Sequence, residues 1–331
     1  MSKAPEIVSH YAAATGFQGI VGSRSIWATD LRYLNDTKEL KYGLRSVLAT
    51  LWEELGYDLT DAQMGELRKT HPEFFSELDA GTPHGINTPS PIEMICRYAA
   101  NAISHEYGLI ERPDVKSTNK AILGQGRVGI YVACFSEEPD DLSQWRGYGD
   151  DGGGYSLGFS TDILRRGLTY KGWVRDRDDS TKDALHAISG VPLGPVAYGK
   201  KKRKALTKFI ASQMIHNDGV TTVPAVHGAI AAMGIILRAA SACKSKKFAG
   251  EKEWRASVID YNVEKDIHFR QRPNIGFTPF INLEFPHEAL KQVIVGPGHN
   301  SRLRMESVEH MLQTAGFSDV TVKKSSVPFR N

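Results

Sequence analysis

Cysteine is scarce in this chain. The three residues Cys96, Cys134 and Cys243 lie far apart and form no CxxC pair. That spacing argues against a disulfide framework or a thiolate zinc site and favours a reducing compartment. Long apolar runs are also missing. The most apolar helical stretch, Gly228 to Leu237, is bounded by His227 and Arg238, far short of the ~20 residues that span a bilayer. The opening "MSKAPEIVSHY" carries no long apolar targeting segment, so a soluble, cytoplasmic protein without membrane contact is expected. Charge of one sign is nearly absent in excess: Lys plus Arg number 41 against 38 for Asp plus Glu, a net +3. Such a balance does not by itself argue for nucleic acid. The eleven histidines form no HExxH, and no GKS or GKT occurs. "GQGRVG" (Gly124 to Gly129) precedes a strand instead of opening a helix after one, the wrong order for a dinucleotide fingerprint. A metal centre and the standard phosphate cradles are therefore unsupported.

What is present is a mixture of helical and extended patterns over 331 residues. Extended chain is expected around Ile7 to His10, in "SIWATD", "VGIYVACFS", "GYSLGFS", "LGPVAYG", "EWRASVIDYNV", "KQVIVGPG" and "DVTVKKS". Helices are expected at Thr15 to Val21, over "TKELKYGLRSVLATLWEELG", over "SPIEMICRYAANAISHEYGL" behind a capping box, in two segments between Lys201 and Cys243, and over "RMESVEHMLQTAGF". Strands separated by long helical excursions favour one α+β domain with a mixed sheet over residues 1–331, in which about 160–245 form a helical insertion.

Four constellations stand out. His10 with Tyr11 offers a hydrogen-bond donor beside a ring able to stack, against the plain alternative of a structural histidine. In "LNDTKE", Asp36 and Glu39 suit a helix cap, leaving Asn35 either to fix the turn or to face a pocket. The loop "CFSEEPDDLSQWRGYGDDGGGYSLGF" holds Ser136, Trp145, Tyr148 and six glycines. The aromatics read equally as a core-facing pair or a stacking platform, and the glycines tilt the loop toward a pocket. In "GEKEWRASV", strand alternation puts Glu251, Glu253 and Arg255 on one face. Two carboxylates beside a guanidinium make either an ion-paired edge or a charged site that stabilises developing positive charge on a sugar. The basic clusters "GKKKRK" and "CKSKK" are solvated faces or contacts for a polyanion such as nucleic acid.

The same segments, from "SHYAAATGFQGIVGSRSIWATDLRYLNDTKELKYG" through "VACFSEEPDDLSQWRGYGDDGGGYSLGF", "KFAGEKEWRASV" and "VIVGPG" to "SSVPFR", resemble the bacterial DUF2971 family, which supplies no established activity. The start, His10-Tyr11 followed by a small helix and "SIWATD", is in addition similar to the ADP-ribosyltransferase fold of DNA-modifying toxins. That resemblance implies NAD as substrate, with His10 on the nicotinamide ribose and Tyr148 or Trp145 on the nicotinamide. A late glutamate, Glu253 or its rival Glu251, would orient the ribose hydroxyl or activate the acceptor. It also implies a toxin or phage-defence role, which no residue pattern specifies. A metal-dependent hydrolase or nuclease using the two glutamates, and a nucleotide-binding module without turnover, are the alternatives.

Overall fold

The structure is a computed structural model and describes residues 3–34, 40, 42–47, 129–149, 153–173, 186–206, 225–260, 267–272 and 276–328. Among them β1 (Ile7–Ala12) leads through α1 (Ala14–Ser23) to β2 (Ser25–Asp30). Arg24, left-handed at φ 53°, closes α1 and turns the chain into β2. The long strand β3 (Gly129–Ser136) pairs along its whole length with β10 (Glu253–Asp260), from Gly129 opposite Asp260 to Ser136 opposite Glu253. Its other edge is shared by two strands: β1 joins at Ser9 opposite Ser136, and β2 joins at Thr29 opposite Val132 and Asp30 opposite Tyr131. Between these contacts the sheet forks. The ring of His10 sits at the fork, its Nδ1 2.8 Å from the Cys134 carbonyl oxygen.

From the fork, β1 continues into β4 (Tyr155–Ser160), β13 (Leu290–Val295) and β14 (Thr321–Lys324). On the other arm, β2 continues into β12 (Gly276–Glu284), which pairs with β11 (His268–Arg272) and β5 (Thr169–Trp173). β6 (His186–Gly190) adds to β5, and β7 (Leu193–Pro195) to β10, giving a twelve-stranded mixed sheet. The α+β class expected from the sequence holds. Within 160–245, where a helical insertion is expected, β5, β6 and β7 are strands of the main sheet, so this stretch is woven into the domain. "LGPVAYG" is two strands: after β7 the Val196 amide bonds to the Glu253 carbonyl, and β8 (Ala197–Tyr198) leaves to pair in parallel with β9 (Cys243–Lys244).

The pleat sorts the side chains onto two faces. One face carries Val8, Ala12, Ile26, Ala28, Tyr131, Ala133, Phe135, Leu157, Phe159, Trp254, Ala256, Ile281, Leu283, Val293 and Val295, all buried in a single core. Helix α1 packs on it through Phe17, Ile20 and Val21, α3 (Thr161–Gly167) through Leu164, and α5 (Ser301–Thr314) through Val308 and Leu312. Register puts Ser9, Thr29, Cys134, Ser136, Glu253, Arg255, Ser257, Arg270 and Arg272 on the opposite face. Helix α4 (Ala225–Ser241) ends over that polar face, where the Ser241 hydroxyl donates to Ser257 Oγ at 3.2 Å.

Residues 40 and 42–47 are helical, with Leu40, Leu44 and Val47 buried as their spacing predicts. Asn35, the cap at Asp36, the helix end at Gly56 and the helix over "SPIEMICRYAANAISHEYGL" lie outside the described residues. None of the described helices is long and apolar enough to cross a membrane.

Candidate functional site

The polar face gathers an ionic cluster around Glu253. Strand alternation puts Arg255 two residues along on the same face, where its Nε donates to Glu253 Oε1 at 2.8 Å and its second terminal nitrogen to Oε2 at 3.2 Å. Lys244, at the end of β9, donates to Glu253 Oε2 at 3.0 Å and to Glu251 Oε2 at 2.5 Å. Glu251 reaches this lysine by a route that alternation does not provide. It ends a 3-10 turn, Lys246–Glu251, after which Lys252 adopts a left-handed conformation at φ 44° and swings the chain into β10. The two carboxylates thus share one ammonium.

Burial pushes the Glu253 carboxyl up, yet Arg255 and Lys244 outweigh it and hold the pKa at about 2. Glu253 is only 6% exposed, and both its oxygens are occupied by cations. Glu251 is more open, and its Oε1 has no partner among the described residues. Arg255 also donates to the Ser241 carbonyl at the end of α4 at 2.6 Å, a favourable place for a cation. The Glu253 amide donates to the Tyr198 hydroxyl at 2.9 Å, and the Ser136 hydroxyl donates to the Glu251 carbonyl at 2.8 Å. Ser136 therefore fixes the backbone of Glu251 and does not itself offer a ligand contact.

Tyr148, the last residue of α2 (Leu142–Tyr148), borders this cluster. It is 42% exposed. Its phenol is pushed up, first by partial burial and then by Cys134, Glu251 and Glu253, with Lys244 opposing. The Cys134 thiol, on the same face, is pushed up by burial and by Glu253.

Trp145 and Tyr11 go elsewhere. Trp145 is fully buried, edge-on to Tyr11 with ring centres 4.9 Å apart, against Ile294. The Tyr11 hydroxyl donates to the Glu138 carbonyl at 2.7 Å and accepts from the Asp141 amide at 3.0 Å. These two rings are a packed support for the start of α2 and present no face to a ligand, so of the three aromatics singled out in the sequence Tyr148 is the one open to stacking. Two glycines of the loop, Gly149 and Gly154, are explained the same way: a Cβ on Gly154 would lie 2.4 Å from the Ala12 carbonyl oxygen, and one on Gly149 would lie 2.6 Å from the Trp145 ring. These two admit close packing of backbone and ring, in place of the ligand approach expected from the sequence.

Asp140 completes this support. It accepts from Trp145 Nε1 at 2.8 Å, from the Ser325 hydroxyl at 2.5 Å and from the Ser326 amide at 2.7 Å. Burial raises its pKa, but these bonds outweigh burial and leave the carboxyl below its ordinary value. Asp140→Ala is expected to cost about 1–2 kcal/mol, because Trp145 Nε1 is left buried without an acceptor. It should also speed amide exchange at Ser326 and Val327. Unchanged exchange there would show that Asp140 does not latch the closing segment.

His10 lies one register step from Ser9, in the row Ser9–Ser136–Glu253 across three strands. Two strand spacings put the backbones of His10 and Glu253 about 10 Å apart. The pleat, however, sends the two side chains to different faces. His10 stands opposite Leu157 and its ring lies 5.6 Å from that of Phe135, both core residues. Because a carbonyl only accepts, Nδ1 carries the proton, and burial lowers the pKa to about 4, so the ring is neutral near pH 7. Its Nε2 is then an acceptor, not the donor expected from the sequence.

Lys244 is the member of the cluster that sequence reasoning missed, since "CKSKK" reads as a solvated basic run. The parallel pairing of Ala197 with Cys243 and Tyr198 with Lys244 turns Lys244 inward and sets the remainder of the two basic runs side by side. Lys200, Lys201, Lys202, Lys246 and Lys247 are exposed there.

No curated protein and no solved structure matches the chain. Residues 144–256, which run from α2 to β10 and include Tyr148, Lys244, Glu251, Glu253 and Arg255, match the model of the family described as "Protein of unknown function (DUF2971)", the family its motifs resemble.

Proposed function

We propose that this protein cleaves the bond between nicotinamide and ribose in NAD and transfers ADP-ribose to a macromolecular acceptor. The observation that carries this reading is the pair of carboxylates joined through Lys244 beside the exposed ring of Tyr148. In the reaction, the C–N bond breaks with its electron pair leaving on nicotinamide. The anomeric carbon gains oxocarbenium character, and an acceptor nucleophile adds there and loses a proton. A fixed carboxylate lowers the barrier to that charge development. Glu253, kept ionised by two cations, holds Lys244, and Lys244 holds Glu251 with one oxygen open. Glu251 Oε1 is the atom free to accept from a ribose hydroxyl or from the incoming nucleophile. Tyr148 would stack on nicotinamide, whereas His10, whose ring lies on the core face, takes no part in this arrangement. The exposed lysines beside β8 and β9 fit an anionic acceptor, which makes nucleic acid the favoured class.

A hydrolase using both glutamates with a divalent ion is less favoured, because the position between the two carboxylates is filled by the Lys244 ammonium. The test is nicotinamide release from NAD, followed by chromatography with single-stranded DNA or RNA present. Glu251→Gln should cut the rate by about 100-fold or more with an unchanged melting temperature. Equal rates for the two proteins would remove Glu251 from the chemistry. Wild-type protein that binds NAD and never consumes it would identify a nucleotide-binding module instead.

A further inference from the structure

On the other arm of the fork, the polar face carries a cation that the ionic cluster does not neutralise. Arg270, on β11, stands opposite Thr278 of β12 and reaches across the sheet to β2, where a terminal nitrogen donates to Thr29 Oγ1 at 2.8 Å. Its guanidinium lies over the Trp27 ring, 5.6 Å from the centroid. It is partly buried, and among the described residues it has no carboxylate partner. Two donors here lack an acceptor among the described residues: Arg270 Nε and the hydroxyl of Thr278, the latter wholly buried. Arg272 projects from the same face two residues along, with one terminal nitrogen donating to the Tyr33 carbonyl at 3.3 Å. Asp30, next to Thr29 on β2, is engaged with Arg32. Desolvation, and after it the charge of Arg272, lowers the Arg270 pKa to about 10, so the guanidinium gains from a negative neighbour. A guanidinium is moreover the side chain whose planar donor fork matches phosphate oxygens.

We propose that Arg270, with Thr29 and Arg272, forms a subsite for the diphosphate of a small nucleotide. Assigning that diphosphate to NAD rests on the proposed NAD reading; the anion site itself does not. Cys134 lies on the polar face between the two halves, opposite Arg255 on β10 and two residues along β3 from Val132, which stands opposite Thr29.

Calorimetry with inorganic pyrophosphate and with ADP-ribose, on the full chain, tests this subsite. Both ligands should bind the wild type. Arg270→Gln should weaken both by about 10-fold or more, and Arg270→Lys should fall between, since an ammonium keeps the charge but lacks the fork. In the absence of ligand, Arg270→Gln should melt at or above the wild-type temperature, because it removes an uncompensated, partly desolvated charge. A marked loss of melting temperature would show instead that Arg270 is structural. Equal pyrophosphate affinity in wild type and Arg270→Gln would overturn the proposal, as would Arg270-dependent binding of a short oligonucleotide without any for pyrophosphate. Arg270-dependent binding of ADP-ribose together with intact NAD would end the cleavage reading and leave the phosphate subsite standing.

Discussion

Glu253→Gln should lower the unfolding free energy by about 3–5 kcal/mol, the cost of breaking a buried ion pair by removing one of its charges. Both Arg255 and Lys244 are buried and both bond to this carboxylate, so no solvent screens the loss. Denaturant unfolding monitored by tryptophan fluorescence gives the number. The pH dependence fixes its origin. Because the folded pKa, about 2, lies below the ordinary value of 4.5, the stabilisation is fully present above pH 4.5 and drains away as pH falls toward 2. The gap between wild type and Glu253→Gln should therefore shrink on acidification. A gap that is constant from pH 6 to pH 3 would mean that the carboxylate charge is not what the cluster uses. Combining Lys244→Met with Glu253→Gln should cost less than the sum of the two single changes, since the two side chains share one ion pair. This expectation also bears on any activity assay: loss of turnover in Glu253→Gln mixes chemistry with unfolding, which is why Glu251→Gln is the cleaner probe of the reaction.

Trp145→Ala should be comparably damaging, at about 3–5 kcal/mol, because it empties the largest fully buried side chain of the described structure. The cavity would open between Tyr11 on β1 and Ile294 on β13, and Asp140 would lose a donor. Trp145→Phe, which keeps most of the volume but not the N–H, should cost much less. Urea denaturation of the three proteins measures both steps. A loss under about 1 kcal/mol for Trp145→Ala would be incompatible with a core role and would return this ring to consideration as a stacking platform. Because Trp145 and Tyr148 share α2, the alanine variant should also loosen the placement of Tyr148 against Glu251.

Much of the architecture is written in local pattern. The strands at Ile7–Ala12, Gly129–Ser136, Tyr155–Ser160, Glu253–Asp260 and Leu290–Val295, and the helices at Ala14–Ser23 and Ser301–Thr314, follow from runs whose apolar residues recur at the period of the element. The strands missed are those whose sequences argue against themselves. In β11 and β12, Pro273, Gly276 and Pro279 interrupt "HFRQRPNIGFTPFINLE", and proline within a run demotes it as a strand. The hairpin of β5 and β6 is short and carries Gly172. The missed strands matter, because β12 ties β2 to the second arm of the fork and β11 brings Arg270 to the polar face.

The candidate site divides along the same line. That Glu253 and Arg255 share a face was determined by the sequence alone, since period-2 alternation is local geometry. Which carboxylate is open, which ring is buried and which lysine neutralises the pair were decided only by the tertiary structure. Those outcomes depend on contacts between β8 and β9, between α2 and β1, and across the fork at Cys134. A charge gains or loses its water according to what packs over it, and residues distant in the chain do that packing, so no window along the sequence contains the answer.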